Sequence, residues 1–145
     1  MSKNLNLFNK QAAGIFALLW ENFPVKQIIT YKKFGAELPK NYWDNINSPE
    51  AKKAITLQSV VDGTFSFLGE NGYIKYQTAL PEGFRDVRLT EKALTVLNKK
   101  IEALDTHETM GDKILSAVKD RTPSIIAGAV ANLLTLGIKL ATSMN

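Results

Sequence analysis

The chain has 145 residues, 45% of them hydrophobic and 22% charged, with a formal net charge of +4 and a pI near 9.3. That composition excludes a disordered or low-complexity chain, and the length suits one domain with a real core, so the mild basicity is compatible with nucleic acid or an anionic surface without demanding either. Cysteine is absent, which excludes a disulfide framework, a thiol nucleophile and a Cys-based metal site.

The polar start, Ser2-Lys3-Asn4, leads into an amphipathic stretch rather than the apolar core of a signal peptide, and an intracellular location is expected. Phe8, Ala12, Ile15, Phe16, Leu19 and Phe23 recur at steps of three and four, which predicts a helix from about Asn6 to Asn22. Pro24 ends it, because proline cannot continue the ladder and disfavours helical geometry at the residue before it. From Val25 to Asn47 the pattern is ambiguous. Lys26 to Tyr31 fits a short strand or a helix start, and Pro39 with the Asn-rich 41–47 stretch reads as irregular.

Ser48-Pro49-Glu50 is a strong helix opening: an N-cap, a proline at the first position and an acid beside the positive helix end. Leu57, Val60, Val61, Thr64, Phe65 and Leu68 carry that helix to Gly69. Gly63 weakens its middle by roughly 1 kcal/mol relative to alanine, so two helices with a bend near Thr56 or Gly63 remain an alternative. Tyr73 to Gln77 and Arg85 to Leu89 read as strands around a Pro81-Glu82-Gly83 turn. Thr90 caps a helix carrying Leu94, Leu97, Ile101 and Leu104, and Asp105 with Glu108 has the spacing of a capping box for another helix that runs to Arg121.

His107 is the sole histidine and reads as an exposed linker residue, with no ligand spacing around it. No Gly-rich phosphate loop and no catalytic constellation is visible. The chain is therefore expected not to be an enzyme and to need no cofactor or metal.

The last uncharged run, Thr122 to Ile138, spans about 17 residues. As a helix it would cover roughly 25 Å, short of a ~30 Å hydrocarbon core. Three readings stand open: a helix docked on its own domain, a homo-oligomer or partner interface, and a weak membrane anchor. The interface reading would use Ile126, Val130, Leu133, Leu134 and Gly137.

Leu68-Gly69-Glu70-Asn71-Gly72-Tyr73-Ile74, followed by Val87-Arg88-Leu89-Thr90-Glu91-Lys92-Ala93-Leu94, resembles the winged helix-turn-helix proteins of bacteria, regulator-like and including members with a small-residue-rich helical tail. The resemblance covers roughly Leu5 to Leu104. It implies a mainly α fold with a small β-hairpin (α+β): a winged-helix domain at 1–105 and a C-terminal helical extension at 106–145. It further implies a cytoplasmic, non-enzymatic protein that binds double-stranded DNA and regulates transcription. Lys52, Lys53, Gln58 and Ser59 would then face the groove, and Lys75, Arg85 and Arg88 would hold phosphates. Asp62, on the same face, would meet phosphate repulsion unless it accepts from a cytosine amine. Lys26, Lys32, Lys33 and Lys40 form a further basic cluster interleaved with Tyr31, Phe34, Tyr42 and Trp43. A homodimer is expected, and membrane contact is not. The alternative is a protein-interaction module, adaptor- or immunity-like, that acts through the C-terminal helices.

Overall fold

The computed structural model describes residues 2–100 and 108–143. Ser2 accepts from the Leu5 amide at 3.0 Å and so starts α1 (Lys3–Asn22) one turn earlier than the apolar spacing suggested. Phe23 closes it just before Pro24. The ambiguous segment that follows divides in two. Gln27–Thr30 forms β1, and Tyr31–Phe34 and Tyr42–Asp44 are short 3-10 turns.

Ser48 caps α2 (Pro49–Glu70) by accepting from the Ala51 amide at 3.1 Å. This helix is continuous through Thr56 and Gly63, so the alternative of two separate helices does not hold. Gly63 lies on the exposed side with open space where a Cβ would stand, so it costs helix propensity but breaks no packing. Gly72, with φ of +78°, makes the left-handed exit from the helix that a residue with a side chain resists.

The chain then runs through β2 (Ile74–Ala79) and β3 (Gly83–Leu89), and the three strands form an antiparallel sheet in the order β1-β3-β2. Gly83, φ +151°, lies where β1 crosses closest: a Cβ there would meet the Ile29 carbonyl and the Thr30 Cα. The register shifts between Lys75 and Gln77, opposite Asp86, whose φ is +52°. This is how a bulge re-aims the outward side chains of a strand.

Thr90 caps α3 (Glu91–Leu97), accepting from the Ala93 amide and donating to the Gly72 carbonyl, which ties this helix to the base of the hairpin. The seam expected through Ile101 and Leu104 lies outside the described residues, as do Asp105 and His107. The Lys100–Thr109 bridge brings the end of α3 beside the start of α4 (Met110–Asp120). The cap of α4 is Thr109, in a capping box with Asp112, and not the Asp105–Glu108 pair. Arg121 in left-handed geometry ends α4, and α5 (Pro123–Ser143) begins two residues later.

The fold is thus mixed α+β and mostly helical, with five α-helices and one three-stranded sheet among the described residues. A single apolar cluster runs through it. Ile15, Phe16 and Leu19 of α1 meet Phe65 and Leu68 of α2, Ile74, Phe84 and Val87 of the sheet, Val96 and Leu97 of α3, Ile114 of α4, and Val130 and Leu133 of α5. α1 is its axis, with α2, α4 and α5 packed around it. One buried polar contact crosses the cluster, where the Thr64 hydroxyl sits 2.9 Å from both Gln11 Oε1 and the Val60 carbonyl.

Candidate nucleic-acid interface

The inner face of the hairpin is aromatic and fixes how the strands lie on α2. Phe84 stacks on Phe65 of α2 at 3.7 Å between ring centroids, and Tyr76 meets both edge-on. Strand alternation then forces the intervening residues outward. Lys75 stands opposite Arg88, and Gln77 opposite Arg85. Lys75, Arg85 and Gln77 are exposed and Arg88 is half-buried. The three cations expected to hold phosphates are therefore brought together on one hairpin.

The guanidinium groups of the two arginines are held by neutral acceptors. Arg85 Nε donates to Gln77 Oε1 at 3.1 Å, and Arg88 Nη1 donates to the Asp86 carbonyl at 2.8 Å. Such bonds orient the side chains without cancelling their charge. An open groove of ≈ 490 Å³ lies between this hairpin and the end of α2, lined by Lys75, Gln77, Arg88, Ser66 and Glu70. Glu70 reduces the positive character of its helical wall. Gln77, which sequence reasoning did not single out, was signalled by its two-residue spacing from Lys75.

Lys52 and Lys53 are exposed in the first turns of α2. They stand toward the opposite end of that helix from the hairpin groove, roughly 20–25 Å away along the axis at 1.5 Å per residue. The structure does not bring these two groups into one cluster.

The face of α2 between them is largely committed within the chain. The Thr56 and Ser59 hydroxyls donate back to the Lys52 and Ile55 carbonyls, each at 3.0 Å. Gln58 Nε2 donates to the Ala36 carbonyl at 2.9 Å and pins the end of the first 3-10 segment to α2. Asp62 accepts from the Tyr31 hydroxyl at 2.5 Å. Burial pushes the Tyr31 hydroxyl well above the ordinary tyrosine value of 10.0, and the bond to Asp62 with its negative charge adds to the rise. The neutral bonds of Thr56, Gln58 and Ser59 are each worth about 0.5–1.5 kcal/mol, close to what one neutral contact to a base edge would return, and the bond to the Asp62 carboxylate is worth more.

The aromatics of the 31–43 segment divide. Tyr31 is core and Phe34 packs against it, while Tyr42 stacks edge-on with Trp43 at 5.0 Å and Trp43 is 84% exposed. Lys32, Lys33 and Lys40 are exposed beside them. Lys92 is occupied: its Nζ lies 4.5 Å from the Tyr73 ring centroid and donates to the Asn71 carbonyl. The Tyr31–Asp62 bond joins residues 31 apart and left no trace in local spacing.

The five C-terminal positions offered as an interface lie on the inner side of α5. Ile126, Val130 and Leu133 are buried in this chain's own core, Gly137 is buried beneath the Tyr73 ring, and Leu134 is half-buried against the cluster. A partner surface made of them would require α5 to leave α1. The outward side of α5 carries Ile125, Gly128, Asn132, Thr135 and Ile138 instead. By length and composition this helix could cross a membrane, and it continues beyond the uncharged run to Ser143.

Among the described residues no group of three or more His, Asp or Glu side chains could hold a metal ion. Compared with known proteins, the chain matches no family, no curated protein and no solved structure.

Proposed function

We propose that this chain is a winged helix-turn-helix protein of the cytoplasm that binds double-stranded DNA without catalysing a reaction, in the manner of a transcription regulator. The order α1-β1-α2-β2-β3 with strands arranged β1-β3-β2 supports the winged-helix part of this reading. In it, α2 takes the place of the recognition helix and the β2–β3 hairpin that of the wing. One departure is plain: two 3-10 turns stand where such a domain carries its small second helix.

The observation that carries the reading is the hairpin's cationic group, Lys75, Arg85 and Arg88, with both arginines oriented by neutral partners. Phosphates attract such a group through charge rather than sequence. Lys52 and Lys53, roughly 20–25 Å away along α2, add exposed positive charge at the other end of the helix. A titration of duplex DNA across a salt series tests this. Five phosphate contacts predict a slope of log K against log salt of about −4.5, and reversal of Lys75, Arg85 and Arg88 to Glu should abolish binding. No binding at low salt would overturn the reading.

A second reading, a protein-interaction module or homodimer acting through the C-terminal helices, is favoured by the exposure of Ile125 and Ile138 on α5. Molecular mass measured in the same buffers separates it from DNA binding.

A further inference from the structure

We infer that the duplex is held through its phosphates alone, so that this site takes double-stranded DNA with no preference for sequence. The inference rests on the DNA-binding reading above. Sequence readout in the major groove needs side chains whose donors are free to meet base edges, above all Arg or Lys on guanine and Asn or Gln on adenine.

Along the middle of the open face of α2, from Thr56 to Asp62, those donors are spent inside the chain. The Thr56 and Ser59 hydroxyl hydrogens go to carbonyls one turn back. Gln58 is the amide side chain at the middle of this face, and it anchors the Ala36 carbonyl; turning it toward an adenine would release the 3-10 segment from α2. Asp62 is taken by Tyr31 and adds negative charge where phosphates would pass. Gly63 offers no side chain. A hydroxyl that abandons its carbonyl for a base gains about what it gives up, so this face yields little discrimination.

What remains on α2 is the Ser66 hydroxyl with Lys52 and Lys53, and these lysines are flexible point charges without the rigid planar fork of arginine. The guanidinium forks, Arg85 and Arg88, are on the hairpin, where Gln77 and the Asp86 carbonyl already occupy one donor of each. The charges are in place to attract a polyanion, and the geometry that would tell one sequence from another is not.

The test uses the full chain and a pool of duplexes with randomised centres, enriched over several rounds at low salt. The enriched duplex is then titrated against its shuffled counterpart. A specific reader separates such a pair by about a thousandfold or more. Here the two affinities should differ by less than about tenfold, and both should fall together as salt rises. Neutralising Lys75, Arg85 and Arg88 to Gln, with folding checked by circular dichroism, should weaken both duplexes by the same factor. An enriched sequence bound more than about tenfold tighter than its shuffled form overturns this inference and leaves the DNA-binding reading standing. Absence of binding to every duplex at low salt overturns both.

Discussion

α2 and α5 are nearly the same length, 22 and 21 residues, and each lays one side on the same core. They differ in what they leave outside. α2 exposes Lys52, Lys53, Thr56, Ser59, Asp62 and Ser66, whereas α5 exposes Ile125, Gly128, Ala131, Asn132, Thr135 and Ile138. The spacing of α5 sends Ile126, Val130 and Leu133 inward and leaves Ile125 and Ile138 among mostly small residues outward. α2 buries Ala51, Ala54, Val61, Thr64, Phe65 and Leu68, and its outer side is mostly polar, with Ile55 and Phe67 as exposed apolar exceptions. Burial in both helices follows period; what differs is the chemistry left for a partner.

The largest expected effect falls on α2. Phe65 is fully buried and stacked on Phe84, so Phe65→Ala removes the ring that seats the hairpin on the helix. We expect a loss of about 3–5 kcal/mol in urea unfolding. A loss under about 1 kcal/mol would mean that the hairpin is not held by this stack. The matching site on α5 is Gly137, where an added Cβ would run into the buried Tyr73 ring. Gly137→Ala should cost about 1–3 kcal/mol despite alanine's better helix propensity, because overpacking outweighs the propensity gain. A stabilised variant would show that α5 does not lie this close to the hairpin base.

A third variant addresses the polar tie on α2. Near neutral pH the Tyr31–Asp62 bond is intact, and Tyr31→Phe should cost about 1.5 kcal/mol, the low end for a bond to a charged group because Asp62 is exposed. The sign of the pH dependence follows from the raised value of Tyr31 in the folded state. The folded chain holds that proton more tightly than the unfolded one, so the stabilisation is complete below the ordinary tyrosine value and declines as pH rises through the folded one. The difference between wild type and Tyr31→Phe in urea midpoint should therefore be present near pH 8 and shrink toward about pH 11. Tyr73, raised by burial, contributes decline of the same sign in both proteins. An alkaline gap that widens would contradict the assignment.

Local chemistry made much of this fold legible. The stripe of α1, the Ser48 and Thr90 caps, the Gly72 exit and the paired strands all follow from spacings within a few residues. β1 was legible only as one of two alternatives, a strand or a helix start, because its partners, Phe84 and Val87, lie more than fifty residues ahead and four residues carry too little pattern of their own. The start of α4 was misplaced because Asp105–Glu108 and Thr109–Asp112 have the same spacing, and only the backbone chooses between them. At the candidate interface the charges of Lys75, Arg85 and Arg88 were readable, and so was their alternation. The commitment of Thr56, Ser59 and Gln58 was not, since a hydroxyl or amide side chain reaches solvent or backbone according to its rotamer and to segments distant in sequence.

The smallest expected effect tests the outer side of α5. Ile138 is 66% exposed, so Ile138→Ser removes an apolar side chain that already meets water. If that face is ordinary surface, stability should change by less than about 0.5 kcal/mol, a melting shift of roughly 2 °C or less. Sedimentation should then give the same mass for variant and wild type at every concentration. If a second copy covers the face, Ile138 is desolvated only in the assembly, and the substitution should shift the monomer–dimer balance while a dilute monomer keeps its melting temperature. The contrast between the two helices would then sharpen: α2 would offer charge to a polyanion, and α5 would offer apolar area to another copy of the chain. A lower melting temperature with no change in mass would fit neither outcome. It would place Ile138 inside the monomer's core and erase the difference in what the two helices leave outside.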